Sequence, residues 1–153
     1  MPFLQENPPV ETKDMLIGAL LRVPAQAIHR RIIEELNAAG FDGLGMPHMA
    51  VLRFPSPHGA RPGVLAERAG MSKQAMNRLL GSLEDLGYIV RSDARDEARA
   101  RIVHFTKRGH AAYAKVLDVL RDIEREWSVE LGPKDFIHLK ELLCRVWESP
   151  LIR

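Results

Sequence analysis

"SKQAMNRLLGSLEDLGYIVR", residues 72–91, begins as one kind of element and ends as another. Met76, Leu79, Leu80, Leu83 and Leu86 recur at helical spacing. Ser72 in front of them can cap a helix by accepting from a first-turn amide. Gly87 offers a stop, and Tyr88 to Arg91 reads as a short strand. Successive helical residues turn by about 100°, so Lys73, Gln74, Asn77 and Arg78 share the side opposite the apolar stripe.

The neighbouring segments give this stretch a context. Upstream, Pro62 opens a helix to about Ala69, with Val64, Leu65 and Ala69 inward, and Gly70-Met71 makes a tight turn. Two helices joined this way form a helix-turn-helix, whose second helix can enter the major groove of DNA. Gln and Asn pair with adenine edges, Arg and Lys with guanine, and Ser72 with the first-turn amides can hold a phosphate. Downstream, Arg101 to Phe105 reads as a second strand, separated from the first by the charged run SDARDEARA. Arg95 and Arg99 in that tip, with Arg91 and Arg101 at the base, supply charge that phosphates attract. A polar helix face alone is what any solvated helix presents, and a charged hairpin tip alone serves solubility. An amphipathic helix leading straight into a charged ribbon is the plan of a winged helix-turn-helix.

The flanks read as helical. Leu16, Leu20, Val23, Ala27, Ile32 and Leu36 predict a helix over 12–39, with Pro24 expected to kink or split it and Gly40 to end it. A short helix is predicted from Pro47 to Phe54. Thr106 can cap a helix from Lys107 to about Leu131 with Ala112, Val116, Leu120, Ile123 and Trp127 inward, and Gly132-Pro133 breaks it. A last helix over 134–147 carries Phe136, Leu139, Leu143, Val146 and Trp147. The predicted fold is mainly α with a small β-hairpin wing. The expected organisation is an N-terminal arm and long helix over 1–45, a winged helix-turn-helix domain over 46–107, and C-terminal helices over 108–153.

Composition limits the function. The chain has 153 residues, 46% of them apolar, enough for one domain with a real core. The net charge is only +2. Between Arg61 and Arg108, however, ten Lys and Arg face six Asp and Glu, a local +4, while the remainder carries −2. That asymmetry points to an anionic partner. A single cysteine excludes an internal disulfide and fits a reducing cytoplasm. No apolar run approaches the ~20 residues of a membrane span, and the first ten residues lack the regions of a signal peptide. There is no Gly-rich phosphate loop, no G-x-S-x-G and no nucleophile with a neighbouring base, so nothing suggests an enzyme. No cofactor motif is present.

The chain resembles the MarR family of bacterial transcriptional regulators. The likeness rests on Leu65-Ala66-Glu67-Arg68, on Met71 to Arg91 with its L-E-x-x-G-Y-I-x-R core, and on Glu97-Ala98-Arg99 and Phe105-Thr106-Lys107-Arg108-Gly109. It covers about residues 60–110. Two departures stand out. Glu97 replaces the family's usual wing aspartate, with Ala98 where a basic residue is usual, and Arg61 replaces a common serine or threonine, which makes a phosphate contact there ionic. The resemblance implies a homodimer in which the first and last two helices of both subunits interlock. Two recognition helices ~34 Å apart would then read a pseudo-palindrome on double-stranded DNA. On this basis Arg61, Ser72, Lys73, Gln74, Asn77, Arg78, Arg95 and Arg99 are the expected DNA contacts. Expected function is a homodimeric repressor released by a small, aromatic ligand. The alternative is a winged-helix module that binds protein without specific DNA recognition.

Family members of this kind hold their effectors between the dimer helices and the winged domain. Here that implies a pocket near Leu20, Pro24, His29, Met49, Phe54 and Tyr113. The six histidines, at 29, 48, 58, 104, 110 and 138, lack the i, i+4 spacing of a helical metal pair, so no metal site is expected. Cys144 falls beside the last helix's apolar stripe and reads as a packed thiol rather than a redox sensor.

Overall fold

The computed structural model describes residues 11–53, 58–92 and 102–151. Helix α1 (Ile17–Ala38) follows a 3₁₀ turn, Thr12–Asp14. A second 3₁₀ turn, Met46–His48, leads into α2 (Met49–Leu52). Then come α3 (Pro62–Arg68), α4 (Lys73–Asp85), β1 (Ile89–Arg91), β2 (Val103–Phe105), α5 (Lys107–Leu131) and α6 (Pro133–Trp147).

One core unites these elements. Ile32 and Leu36 of α1 pack with Met49, Val51 and Leu52 of α2, Leu65 and Ala66 of α3, and Met76, Leu79, Leu80 and Leu83 of α4. Tyr88, Ile89 and Val103 of the ribbon, and Ala112, Val116, Val119 and Ile123 of α5, complete it. Ion pairs clamp α1 to α5 along its rim. Arg31 is bidentate on Glu126, with Nη2 2.8 Å from Oε1, and Lys115 lies 2.9 Å from Glu35. These partners hold the Glu126 and Glu35 carboxyls below their ordinary pKa.

The ribbon is antiparallel, pairing Ile89 with Phe105, Val90 with His104 and Arg91 with Val103. A third backbone segment joins it: Ala60 and Val103 exchange both amide bonds, at 3.0 and 2.9 Å. Helix α5 starts hard against this sheet. Thr106 Oγ1 accepts from the Gly109 amide (3.1 Å) and donates to the Gly87 carbonyl (2.6 Å). A Cβ on Gly109 would come 2.0 Å from the Tyr88 carbonyl oxygen, so the helix seats only without a side chain there. Tyr88 is fully buried and its hydroxyl donates to the Asp42 carbonyl at 2.9 Å.

Several boundaries differ from the sequence expectation. The first helix starts at Ile17 rather than residue 12, because Met15 and Leu16 are extended, with ψ 137° and 152°, and separate it from the Thr12–Asp14 turn. Pro24 does not split it, and α1 runs unbroken through that position. The predicted helix from Pro47 is a 3₁₀ turn followed by four α-helical residues, and Phe54 lies outside the described residues. In α3 Leu65 and Ala66 are buried, whereas Val64 is exposed. In α5, Val119 is buried in place of Leu120, and both Leu120 and Trp127 are half-buried.

Helix α6 (Pro133–Trp147) leaves most of its apolar residues uncovered within the subunit. Its only buried residue is Phe136. Leu143, Val146 and Trp147 of its apolar stripe are exposed, Trp147 by 78%. Cys144, expected to be packed, is exposed too, because none of the described residues covers that side of the helix.

Candidate nucleic-acid interface

Helix α4 divides as its periodicity dictates. Met76, Leu79, Leu80 and Leu83 are buried, whereas Ser72, Lys73, Gln74, Asn77 and Arg78 are all exposed. Ser72 has extended backbone and its Oγ accepts from the Ala75 amide at 3.1 Å. That bond satisfies one first-turn donor and leaves those of Lys73 and Gln74 without helical partners, a ready contact for an anion. Arg61 is the residue preceding α3, exposed, with Pro62 in the first turn behind it. The packing of α3 on α4 places Arg61, Lys73 and Asn77 along one open surface cleft of 580 Å³, which Glu67 also lines. Gln74 and Arg78 lie outside its lining. Arg95 and Arg99 lie outside the described residues.

At the base of the ribbon the pairing continues past β1 and β2. The Ser92 amide donates to the Ile102 carbonyl (3.0 Å), and the Ile102 amide to Ser92 Oγ (3.1 Å). Arg91, expected to offer charge to phosphate, is instead held by Glu84 of α4. Its Nε and Nη2 lie 3.0 and 2.9 Å from Oε2. Gly81 of α4 has open surroundings: a Cβ there would meet only Arg91 Nη2, at an ordinary 3.8 Å.

A second side-chain tie reaches α4 from its inner flank. The Gly45 amide donates to His48 Nδ1 (2.9 Å), which therefore carries a lone pair. The proton sits on Nε2 and is donated to Ser82 Oγ (3.0 Å). Burial holds this imidazole below its ordinary pKa.

The expected ligand residues are brought together only in part. His29 and Met49 line one cleft of 330 Å³ under α2, together with Arg53, Arg68 and Met71. Leu20 and Pro24 lie further up α1, and Tyr113 packs near Phe105, with ring centroids 6.4 Å apart; none of the three lines this cleft. Burial, then the neighbouring Arg53 charge, pushes the His29 pKa down. Sequence periodicity could not find Arg53 and Arg68, because they meet His29 only through the packing of α1, α2 and α3. Glu84 and Arg91 were visible as motif letters, but their pairing was not.

Residues 42–100 match a MarR family model. No curated protein matches the chain. Solved structures do. A MarR family protein of Mycobacterium tuberculosis in complex with salicylic acid is 25% identical, with 89% of this chain and 99% of that one covered at a TM-score of 0.62. NadR in complex with 4-hydroxyphenylacetate is 20% identical, with 92% and 99% covered and a TM-score of 0.64. Wild-type MarR from E. coli, in its apo form, is 21% identical, with 86% and 97% covered and a TM-score of 0.66. A helix-turn-helix with an exposed polar second helix leading into a ribbon thus coincides with a sequence match over the same segment. The chain is similar to MarR family proteins in sequence over residues 42–100 and in fold over most of its length.

Proposed function

We propose that this protein is a sequence-specific DNA-binding transcription regulator, acting as a homodimer and released from its operator by a small ligand. The observation that carries this is the exposed row of Lys73, Gln74, Asn77 and Arg78 beside the Ser72-capped start of α4. Asn77 and Gln74 suit adenine, and Lys73 and Arg78 suit guanine or phosphate. Arg61 reaches the same strand from the start of α3, and Arg95 and Arg99 of the wing take the flanking backbone.

The dimer is supported by apolar surface that one subunit leaves in water. Leu16 and Ile17 at the start of α1 are 82% and 70% exposed, and the α6 face adds Leu143, Val146 and Trp147. A patch of that kind at both chain ends suits an isologous interface. In this reading residues 1–45 and 108–153 make the dimer helices and 46–107 the DNA-binding domain. None of the described helices is long and apolar enough to cross a membrane, and a DNA-binding role places the protein in the cytoplasm.

The ligand is best sought in the His29–Met49–Arg53 cleft. Two related structures hold small aromatic acids, and an arginine-edged, methionine-lined cavity of 330 Å³ suits that chemistry. Met71 in its wall adjoins Ser72, so an occupant there acts directly on the start of α4. A ligand changes DNA affinity only by its different affinity for the two arrangements. Selection of duplexes from a random pool, followed by anisotropy titration, tests the reading. Specific binding with affinity falling steeply between about 50 and 200 mM salt is expected. Equal affinity for the selected duplex and its scrambled form would refute it.

A further inference from the structure

Helix α4 carries a carboxylate where a DNA-binding face should not want one. Glu84 is seven residues beyond Asn77, so the two point within about 20° of each other around the helix. An uncompensated anion there opposes a phosphate backbone. The structure compensates it with Arg91, and by more than charge. Glu84 Oε2 accepts from Arg91 Nε (3.0 Å) and Nη2 (2.9 Å), while Oε1 accepts from the Arg91 backbone amide (3.2 Å). Both ends of Arg91 are gripped by one carboxylate. The Arg91 side chain is only 19% exposed, so it has little surface left to offer a phosphate.

The grip sits at a mechanical junction. The turn from α4 into β1 is held by backbone bonds from Gly87 to Glu84 and from Tyr88 to Leu83, both 2.9 Å, and by the burial of Tyr88. Those contacts fix the chain as far as Tyr88. Past Ile89 the ribbon is held by its own ladder and the Ala60 bridge, neither of which reaches α4. The three Glu84–Arg91 contacts link the far end of β1 back to the helix.

The geometry points to Glu84 as a positioning residue for DNA binding: by gripping Arg91 it sets the direction in which the ribbon leaves the recognition helix, and Arg91 serves that geometry rather than contacting phosphate. This rests on the reading that α4 enters DNA.

The test reverses an electrostatic sign. Glu84→Gln removes a negative charge from a surface facing a polyanion, which by charge alone tightens binding. The grip instead predicts that E84Q binds the selected duplex about tenfold more weakly. Arg91→Gln is expected to weaken it similarly, and the double variant no more than either single one. Glu84→Asp keeps the charge but shortens the reach, and weakens binding too. In the free protein, amide exchange at Arg91 is expected to quicken in E84Q while that of Val103 stays unchanged, a readout independent of DNA. Binding by E84Q or E84D at or above wild-type strength overturns the proposal, as do additive losses in the double variant. Arg78→Ala is the control. If wild type discriminates the duplex and R78A loses affinity while E84Q does not, only the grip fails. If wild type shows no discrimination, the reading of α4 fails and the grip with it.

Discussion

Helices α4 and α6 are both amphipathic, yet the fold uses them in opposite ways. Helix α4 buries Met76, Leu79, Leu80 and Leu83 within its own subunit and turns a polar row outward. Helix α6 buries Phe136 alone and leaves Val146 and Trp147 in water. An apolar stripe announces that something covers it, without saying whether the cover belongs to the same chain. For α4 the cover is α3, α2 and the ribbon. For α6 it is the proposed second copy. Core changes near α4 should therefore act on a subunit's own stability, and changes on α6 on association.

The largest effect is expected on the α4 side of that contrast, at the junction with α5. Gly109→Ala drives a Cβ into the Tyr88 carbonyl, which backbone on both sides prevents from yielding. A loss of about 3 kcal/mol in denaturant unfolding is expected, independent of protein concentration. On the α6 side, Val146→Glu puts a charge into the proposed interface without touching the buried core. Light scattering should report a shift from dimer to monomer, with a folded circular dichroism spectrum and a melting temperature that no longer rises with concentration. A variant that stays dimeric at micromolar concentration would break the comparison.

A gentler effect concerns the tie between the segment before α2 and α4. Burial holds the His48 imidazole below its ordinary pKa, so the unfolded chain takes up this proton first. The fold keeps the full contribution above about pH 6.5 and loses it as pH falls through that value. His29 shifts in the same direction and shares the trend. His48→Gln is expected to narrow the difference in melting temperature between about pH 7.5 and 5.5 without abolishing it. The smallest effect is a gain. Gly81 lies inside α4 with open surroundings, so Gly81→Ala should stabilise the fold by about 0.5–1 kcal/mol. Loss of stability there would mean that Arg91 needs the space.

The same contrast explains what could be read in advance. The ends of α4 were legible because Ser72 and Gly87 act locally: a hydroxyl caps its own helix, and a glycine at φ 78° turns the chain out of it. The ribbon followed from its β-type run, and Thr106 from its capping chemistry. The start of α1 was not legible, because the apolar repeat extends upstream of Ile17 with no capping residue to mark the boundary. The Ala60–Val103 bridge joins residues far apart in sequence, a pairing no periodicity encodes. The exposure of Cys144 was not legible, because an apolar stripe beside a residue does not say which side of the helix its own subunit covers. Of the DNA-facing residues, those on one helix could be grouped by angle alone. The ligand cleft draws on α1, α2 and α3 together, and only His29 and Met49 of the expected set line it.

In the proposed function the exposed row of α4 reads bases. The most direct measurement compares wild type with Asn77→Ala on the selected duplex and on duplexes altered one base pair at a time. A loss of about 1–3 kcal/mol on the selected site is expected, with a preference that relaxes at one position in each half-site while the others keep theirs. An Asn77→Ala protein that keeps the full base preference at every position would contradict it.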